Sequence, residues 1–519
     1  MPCTLANRPV GIKHGFYRSA PSLYSIGLFQ TFGSYPYQEP VVTSRSPYTR
    51  YAGLAALLLC IPVAVAALVL WLGQDTVSDL PVRVPGKDGR PASMQQGNSP
   101  VDFKGQFQQF DGVPSTLPGA WPQFRGAASD NIAAGAPPMA DTWGPDGPKV
   151  LWTIPVGEGY AGPAVLNGRI YLLDYDEAAR SDALRCFSLD DGREIWRHAY
   201  RVEVRRNHGM SRTVPAVSAT HVVSLGPRCH VLCLDAQTGA LQWGLDLQRE
   251  YGTTEPLWYA GQCPLLDGTQ VVLAPGGPEA LLMGVDVATG AVLWKTPNPS
   301  GWQMSHSSVM PMTLAGKRMY VYAAVGGLAG VSAEEADRGA LLWQTPWDAK
   351  VVAPSPVAIG DDRVLALAGY GAGGIVVQVT RTDTGFEGRE LSRHSPRDGI
   401  SAEQHTPVLY EGRLYAIMPK DAGDLREQFV CYLPDGSLAW SSGKDHRFGL
   451  GPWMLADGKF FALDDDGRLY AIRALPDRFE LLGSARVLQG HESWAPMALA
   501  HDRLLVRDME HMACVFVGK

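Results

Sequence analysis

From residue 163 onward, short apolar runs alternate with polar turns at a nearly fixed spacing. Eight prolines (Pro163, Pro215, Pro264, Pro311, Pro356, Pro407, Pro452 and Pro496), 44 to 52 residues apart, each open a short apolar run. A polar turn follows and then a second apolar run, as in GPAVLNGRIYLLD, SPVAIGDDRVLAL, TPVLYEGRLYAIM and GPWMLADGKFFAL. Apolar runs this short, bounded by turn formers, predict strands. Asn167-Gly168, Glu411-Gly412 and Asp457-Gly458 suit hairpin turns, because Asn, Asp and Gly tolerate positive φ. Most units close on Gly, three residues, then Trp: Trp196, Trp243, Trp294, Trp343 and Trp440. Four strands in a repeat of about 45 residues fit one propeller blade, so the pattern predicts an all-β, eight-bladed β-propeller over residues 121–519.

One blade cannot bury both faces of its sheet, so neighbouring blades and ring closure must supply the missing surface. The regularly placed Trp is suited to fill the wedge between blades. The last unit ends after about three strands, and residues 149–156 (KVLWTIPV) precede the first proline with an extra Trp152. This segment is predicted to supply the missing outer strand and clasp the ring. Two units depart from the pattern: the fifth has Gly388 to Leu391 in place of Gly-to-Trp, and the seventh has no Trp near Phe479.

The decapeptide Leu234-Asp235-Ala236-Gln237-Thr238-Gly239-Ala240-Leu241-Gln242-Trp243 resembles the tryptophan-docking repeat of quinoprotein (PQQ-like) β-propellers. Trp121-Pro122-Gln123-Phe124-Arg125-Gly126 is similar to the segment that leads into many bacterial propellers of that family. The resemblance covers residues 121–519 and implies an eight-bladed propeller. Within the family the chain resembles the BamB-like propellers of outer-membrane assembly, which implies a scaffold. The quinone-dependent dehydrogenases of the family imply pyrroloquinoline quinone (PQQ) with calcium, held by a vicinal disulfide, carboxylates and an Asn. This chain has no Cys-Cys pair, and only Glu403 and Glu492 stand as acids before the prolines. No cofactor and no metal is therefore expected; PQQ with calcium is the alternative.

The formal net charge of −7 argues against a nucleic-acid surface. The eight cysteines include no CxxC, so haem attachment and a paired-cysteine zinc site are not supported. Cys186, Cys233 and Cys431 share one repeat position and read as small buried residues. The run Asp464-Asp465-Asp466-Gly467 lacks the spacing of a calcium loop and reads as a hairpin turn.

Tyr51 to Gly73 carries no charge over 23 residues, long enough to span a bilayer. Arg45 and Arg50 precede it, and Asp75 and Asp79 follow, which predicts a cytoplasmic N-terminus and a propeller on the periplasmic side of the inner membrane. Cleavage after Ala64-Val65-Ala66, as a signal peptide, and lipidation at Cys60 are the alternatives. Residues 1–50 show no periodic pattern and read as a disordered tail or an over-extended start. Residues 74–120 are rich in Pro, Gly, Ser and Gln and read as a flexible linker. The expected partners are the membrane, through this single span, and other envelope proteins.

Residues just before each innermost strand line one mouth of a propeller channel. Two to six positions upstream of the prolines stand Tyr160, Arg212, Trp258, His306, Lys350, His405, Arg447, Glu492 and Trp494. This ring of cations, aromatics and histidines, with little acid, suits an anionic or sugar-like ligand, through guanidinium forks and flat stacking faces. A protein-docking rim is the other reading. The stretch Arg205 to Arg212, with three Arg and one His, is the densest local cluster.

Overall fold

Eight antiparallel sheets follow one another along the chain in the computed structural model, each with its strands ordered from the channel axis outward. The second blade is typical: Ala216–Val217, His221–Leu225, His230–Asp235 and Leu241–Asp246. The structure describes residues 100–206 and 208–519, together with Tyr51, Leu58, 60–66 and 68–69. The expected tail and most of the Tyr51–Gly73 span lie outside the described residues. Among those described, no helix is long and apolar enough to cross a membrane. The chain divides into Met1–Val82 and Arg83–Lys519, and the propeller belongs to the second unit.

The ring closes as its sequence anticipates. Val150–Pro155 is the outermost strand of the eighth blade and pairs antiparallel with His511–Phe516, setting Trp152 opposite Cys514. Because residues from both ends share one sheet, opening the ring requires breaking that whole ladder.

The Gly-to-Trp spacing has a geometric cause. Each Trp lies against the glycine turn of the following blade. A Cβ on Gly192, Gly239, Gly290 or Gly339 would lie 2.7–2.8 Å from the ring of Trp152, Trp196, Trp243 or Trp294, respectively. These glycines also have φ of +71 to +86°, a region that side chains adopt at a cost. The indole nitrogens tie the blades further: Trp243 Nε1 donates to the Val287 carbonyl at 2.8 Å and Trp152 Nε1 to the Leu189 carbonyl at 3.2 Å. The irregular units keep the contact by other means. In the fifth blade Gly388, at ordinary φ, still lies under Trp343. In the seventh, Trp440 packs on Phe479 at 6.0 Å and donates to the Leu475 carbonyl.

The WPQFRG segment runs along the innermost strands of the first three blades, near their first hairpin turns. Trp121 bridges to Val165 in the first blade, the Pro122 carbonyl accepts from Val217 N, and Gln123 Oε1 accepts from Leu266 N. Ile132–Ala133 adds a parallel strand to Trp453–Ala456 of the seventh blade. The innermost strands have a free edge facing the channel, and this segment satisfies part of it. Arg125 enters the interior and donates to the carbonyls of Ser129, Asp130, Thr406 and Pro407 at 3.0–3.1 Å.

The linker reading of residues 74–120 needs correction at its C-terminal end. Gln106–Gln109 forms a fifth strand on the first blade, pairing antiparallel with Glu194–Arg201. Phe103 packs edge-on against Tyr200 and His230, each at 5.5 Å. The four strand residues are all exposed, so no alternation of buried and exposed positions announces a strand. Pairing with an open blade edge and the anchoring of Phe103 hold it in place.

Candidate functional site

The segments before the innermost strands converge at one end of the ring, and most of the nine candidates contact one another there. Tyr160 and Trp494 stack with centroids 5.3 Å apart. The Tyr160 hydroxyl donates to Glu492 Oε2 at 2.6 Å and lies 3.4 Å from His208 Nδ1. Burial, reinforced by the Glu492 carboxylate, pushes the Tyr160 phenol well above its usual range, so it stays a neutral donor.

Arg212 joins this pair to the next. Its guanidinium lies 4.9 Å from the Tyr160 ring centroid, and its Nε donates to the Trp258 carbonyl at 2.5 Å. Nη2 donates to the carbonyls of His208 and Gly209. Burial pulls its pKa down to about 10, because the positive charge is held by carbonyl dipoles instead of a carboxylate in contact. Trp258 stacks on Tyr370 at 5.7 Å and tilts against His306 at 6.2 Å. Burial, with the nearby Arg212 charge, lowers the His306 pKa to about 3, so that imidazole is neutral. His405 lies deeper, edge-on to Trp453 at 5.7 Å; burial, with Arg125 adding to it, lowers its pKa to about 4.

On the other side of the mouth, Arg447 donates from Nε and Nη2 to Glu427 at 2.9 and 3.0 Å and from Nη2 to Asp465 at 2.7 Å. Asp465 also accepts from Trp494 Nε1 at 2.7 Å. Lys350 is exposed and enters none of these contacts among the described residues.

The expectation of little acid at the mouth is overturned. Glu427 and Asp465 sit there, as do Tyr370 and Lys420, whose ammonium lies 5.9 Å from the Trp494 ring centroid. All four belong to loops between the second and third strands of blades. Those loops open on the same face as the segments before the prolines, because antiparallel strands alternate direction. The signal that could have found them is the turn chemistry itself: Gly369-Tyr370-Gly371 and Asp464-Asp465-Asp466-Gly467 each fall one strand pair after a proline. The Asp464–Gly467 stretch is a hairpin turn, as read, but its Asp465 belongs to the mouth.

Left-handed backbone concentrates at this face. His208, Trp258, Tyr259, Tyr370, Glu427 and Glu492 have φ of +54 to +75°. Outside hairpin turns such values are uncommon for bulky residues and mark strain. Beside the mouth, a groove of about 440 Å³ is lined by Glu158, Asp174 and Arg185 among others. There Arg185 is spent on Asp174 and Glu194 at 2.8 and 2.9 Å.

The mouth does not fit a calcium-bound quinone. Its rings occupy one another's faces, Glu427 and Asp465 are committed to Arg447, and Glu492 accepts from Tyr160. Calcium takes six to eight oxygen ligands. Among the described residues no three His, Cys, Asp or Glu side chains are placed to hold a metal.

Comparison with known proteins agrees with the architecture. Solved structures similar to this one include the quinohemoprotein alcohol dehydrogenase of Comamonas testosteroni (TM-score 0.55, 14% identity, covering 77% of this chain and 80% of that one). The quinohemoprotein alcohol dehydrogenase ADHIIG of Pseudomonas putida HK5 is comparable (TM-score 0.53, 12%, covering 78% and 81%). BamB of Moraxella catarrhalis also matches (TM-score 0.46, 14%, covering 71% and 99%). At such identities the likeness shows the fold alone. No curated protein matches. The family model described as outer membrane protein assembly factor BamB, a PQQ-repeat family, matches residues 139–255 and 180–422, more than half of the chain, and the chain belongs to that family.

Proposed function

We propose that this protein is a membrane-anchored, extracytoplasmic scaffold that docks other envelope proteins on its channel mouth, without a cofactor. The observation that carries the reading is the pairing of the mouth aromatics: Tyr160 on Trp494 and Trp258 on Tyr370. A planar cofactor held between two surfaces needs facing rings left free, whereas here the rings pair with one another and only Tyr370 keeps much of its surface open. Tyr370 stands out of it with 59% of its surface exposed, the kind of aromatic that anchors interfaces. The uncharged run from Tyr51 to Gly73 supplies the inner-membrane anchor.

A photo-crosslinking amino acid at Tyr370 in the full-length membrane protein tests this. The expected result is a discrete crosslinked protein band, absent when the probe stands at Leu391 on an outer strand, which is also exposed. Equal labelling from both positions would remove the mouth as the docking surface. The rival reading, a quinone-dependent dehydrogenase, draws support from the likeness in fold to the alcohol dehydrogenases. Saturable one-to-one binding of pyrroloquinoline quinone with calcium, followed by heat and quinone absorbance, would establish it against the scaffold.

A further inference from the structure

The mouth carries chemistry that protein docking does not use. Arg212 is a largely enclosed guanidinium whose hydrogen bonds, among the described residues, all go to backbone carbonyls. A cation held in this way attracts an anion from solution, because no carboxylate in contact neutralises it. Glu492 acts on it only at longer range and already accepts from Tyr160.

A ring platform adjoins this charge. One face of Tyr370 is covered by Trp258, whose carbonyl accepts from Arg212, while more than half of the Tyr370 surface stays open. Tyr370 is held in this position by the hairpin turn between Arg363–Ala368 and Gly373–Thr382, where it has φ +57°.

Hydrogen-bonding groups complete the surroundings. Glu403 packs against Gly369, next to Tyr370, where a Cβ would lie 2.7 Å from its Cγ. Its half-buried carboxyl is suited to accept from hydroxyl groups. Among the described residues the buried Trp258 Nε1, beside Tyr370, has no partner. Buried polar atoms are seldom left unmatched.

We infer that the mouth holds a binding site for a monoanionic sugar, a uronate, with its carboxylate on Arg212 and its ring face on Tyr370. The enclosed Arg212 guanidinium, without a carboxylate in contact, calls for an anionic group, and the carboxylates across the mouth disfavour ligands carrying several negative charges. The open tyrosine face calls for a flat, partly apolar ring. Glu403 calls for hydroxyl donors. A free uronate and a uronate residue of a polysaccharide share this chemistry. The site does not depend on the protein-docking reading.

Isothermal titration of the full-length chain in detergent micelles tests it, with glucuronate, glucose, acetate and a uronate-containing oligosaccharide as probes. Glucuronate is expected to saturate a single site. Glucose and acetate, each lacking one anchor, should bind at least about tenfold more weakly. Tighter binding of the oligosaccharide would identify a polymer as the source; equal or weaker binding would identify the free acid.

Tyr370→Ala should weaken glucuronate about fivefold or more. Arg212→Lys keeps the charge but loses the Nη1 donors left over from the carbonyl contacts, and should weaken it similarly. If Arg212→Lys does not fold, Tyr370→Ala at an exposed position still decides the matter. No saturable signal from glucuronate at millimolar concentration overturns the inference. Acetate binding as tightly as glucuronate, or unchanged affinity in folded Tyr370→Ala, overturns it too. Crosslinking from Tyr370 is read separately, so either result can fail while the other stands.

Discussion

Gly239→Ala separates the two demands that the docking turn places on its glycine. Gly239 has φ +71°, and a Cβ there would meet the Trp196 ring at 2.7 Å. Placing an L-side chain in the left-handed region costs about 1–2 kcal/mol. Forcing a methyl group into a packed contact adds about 1–3 kcal/mol. Two other glycines isolate the parts. Gly412, in a hairpin turn at φ +69°, has nothing within 4 Å of its Cβ position, so Gly412→Ala should show the backbone cost alone. Gly388 has ordinary φ but faces Trp343 at 2.5 Å, so Gly388→Ala should show the contact cost alone. Gly239→Ala should then lose about 3 kcal/mol, close to the sum of the other two. Guanidinium unfolding followed by tryptophan fluorescence and far-UV circular dichroism measures all three. If Gly239→Ala falls within about 0.5 kcal/mol of Gly412→Ala, the ring contact does not set the Gly-to-Trp spacing and the argument fails.

Three further outcomes follow from the buried groups and the first-blade strap. His306 and His405 have pKa values lowered to about 3 and about 4, so the unfolded chain binds protons that the folded one refuses; stability should be full above about pH 6.5 and fall as the pH drops toward 4, by about 3 kcal/mol for His405, and unfolding midpoints across that range that stay level in wild type and in His405→Gln alike would contradict this. Asp182 is fully buried, has one carboxylate oxygen without a partner, and is pushed up by burial to about 7; its folded pKa lies above the unfolded value, so it favours folding in acid and disfavours it as pH rises from about 4 to 7, the opposite slope to His230, which burial lowers to about 4. Asp182→Asn should therefore raise stability at pH 8 and steepen the loss in acid, as read by unfolding midpoints at both ends. Phe103→Ala removes the ring that packs on Tyr200 and His230 and should speed amide hydrogen exchange across Gln106–Gln109, while the fifth blade, which Phe103 does not touch, exchanges as before.

The repeat by itself determined the architecture. Prolines at regular intervals, hairpin turns and the Gly-to-Trp spacing are local consequences of blade geometry, so they are visible one unit at a time: Gly239 must be small and left-handed because Trp196 lies on it. The closing strand with Trp152 was legible for the same reason, as a missing piece of a counted pattern. The mouth was only half legible. Tyr160, Arg212, Trp258, His306, His405, Arg447, Glu492 and Trp494 could be found because each precedes an innermost strand at a known offset. Their partners Tyr370, Lys420, Glu427 and Asp465 lie on turns that vary in length from blade to blade, and only the ring brings those turns to the same face. Whether a charge is compensated is likewise a tertiary property: Arg447 finds Glu427 and Asp465, while Arg212 finds backbone carbonyls. The strap at Gln106–Gln109 needed the tertiary structure altogether, since its residues carry no alternating pattern and its order comes from the edge of the first blade and the pocket that receives Phe103.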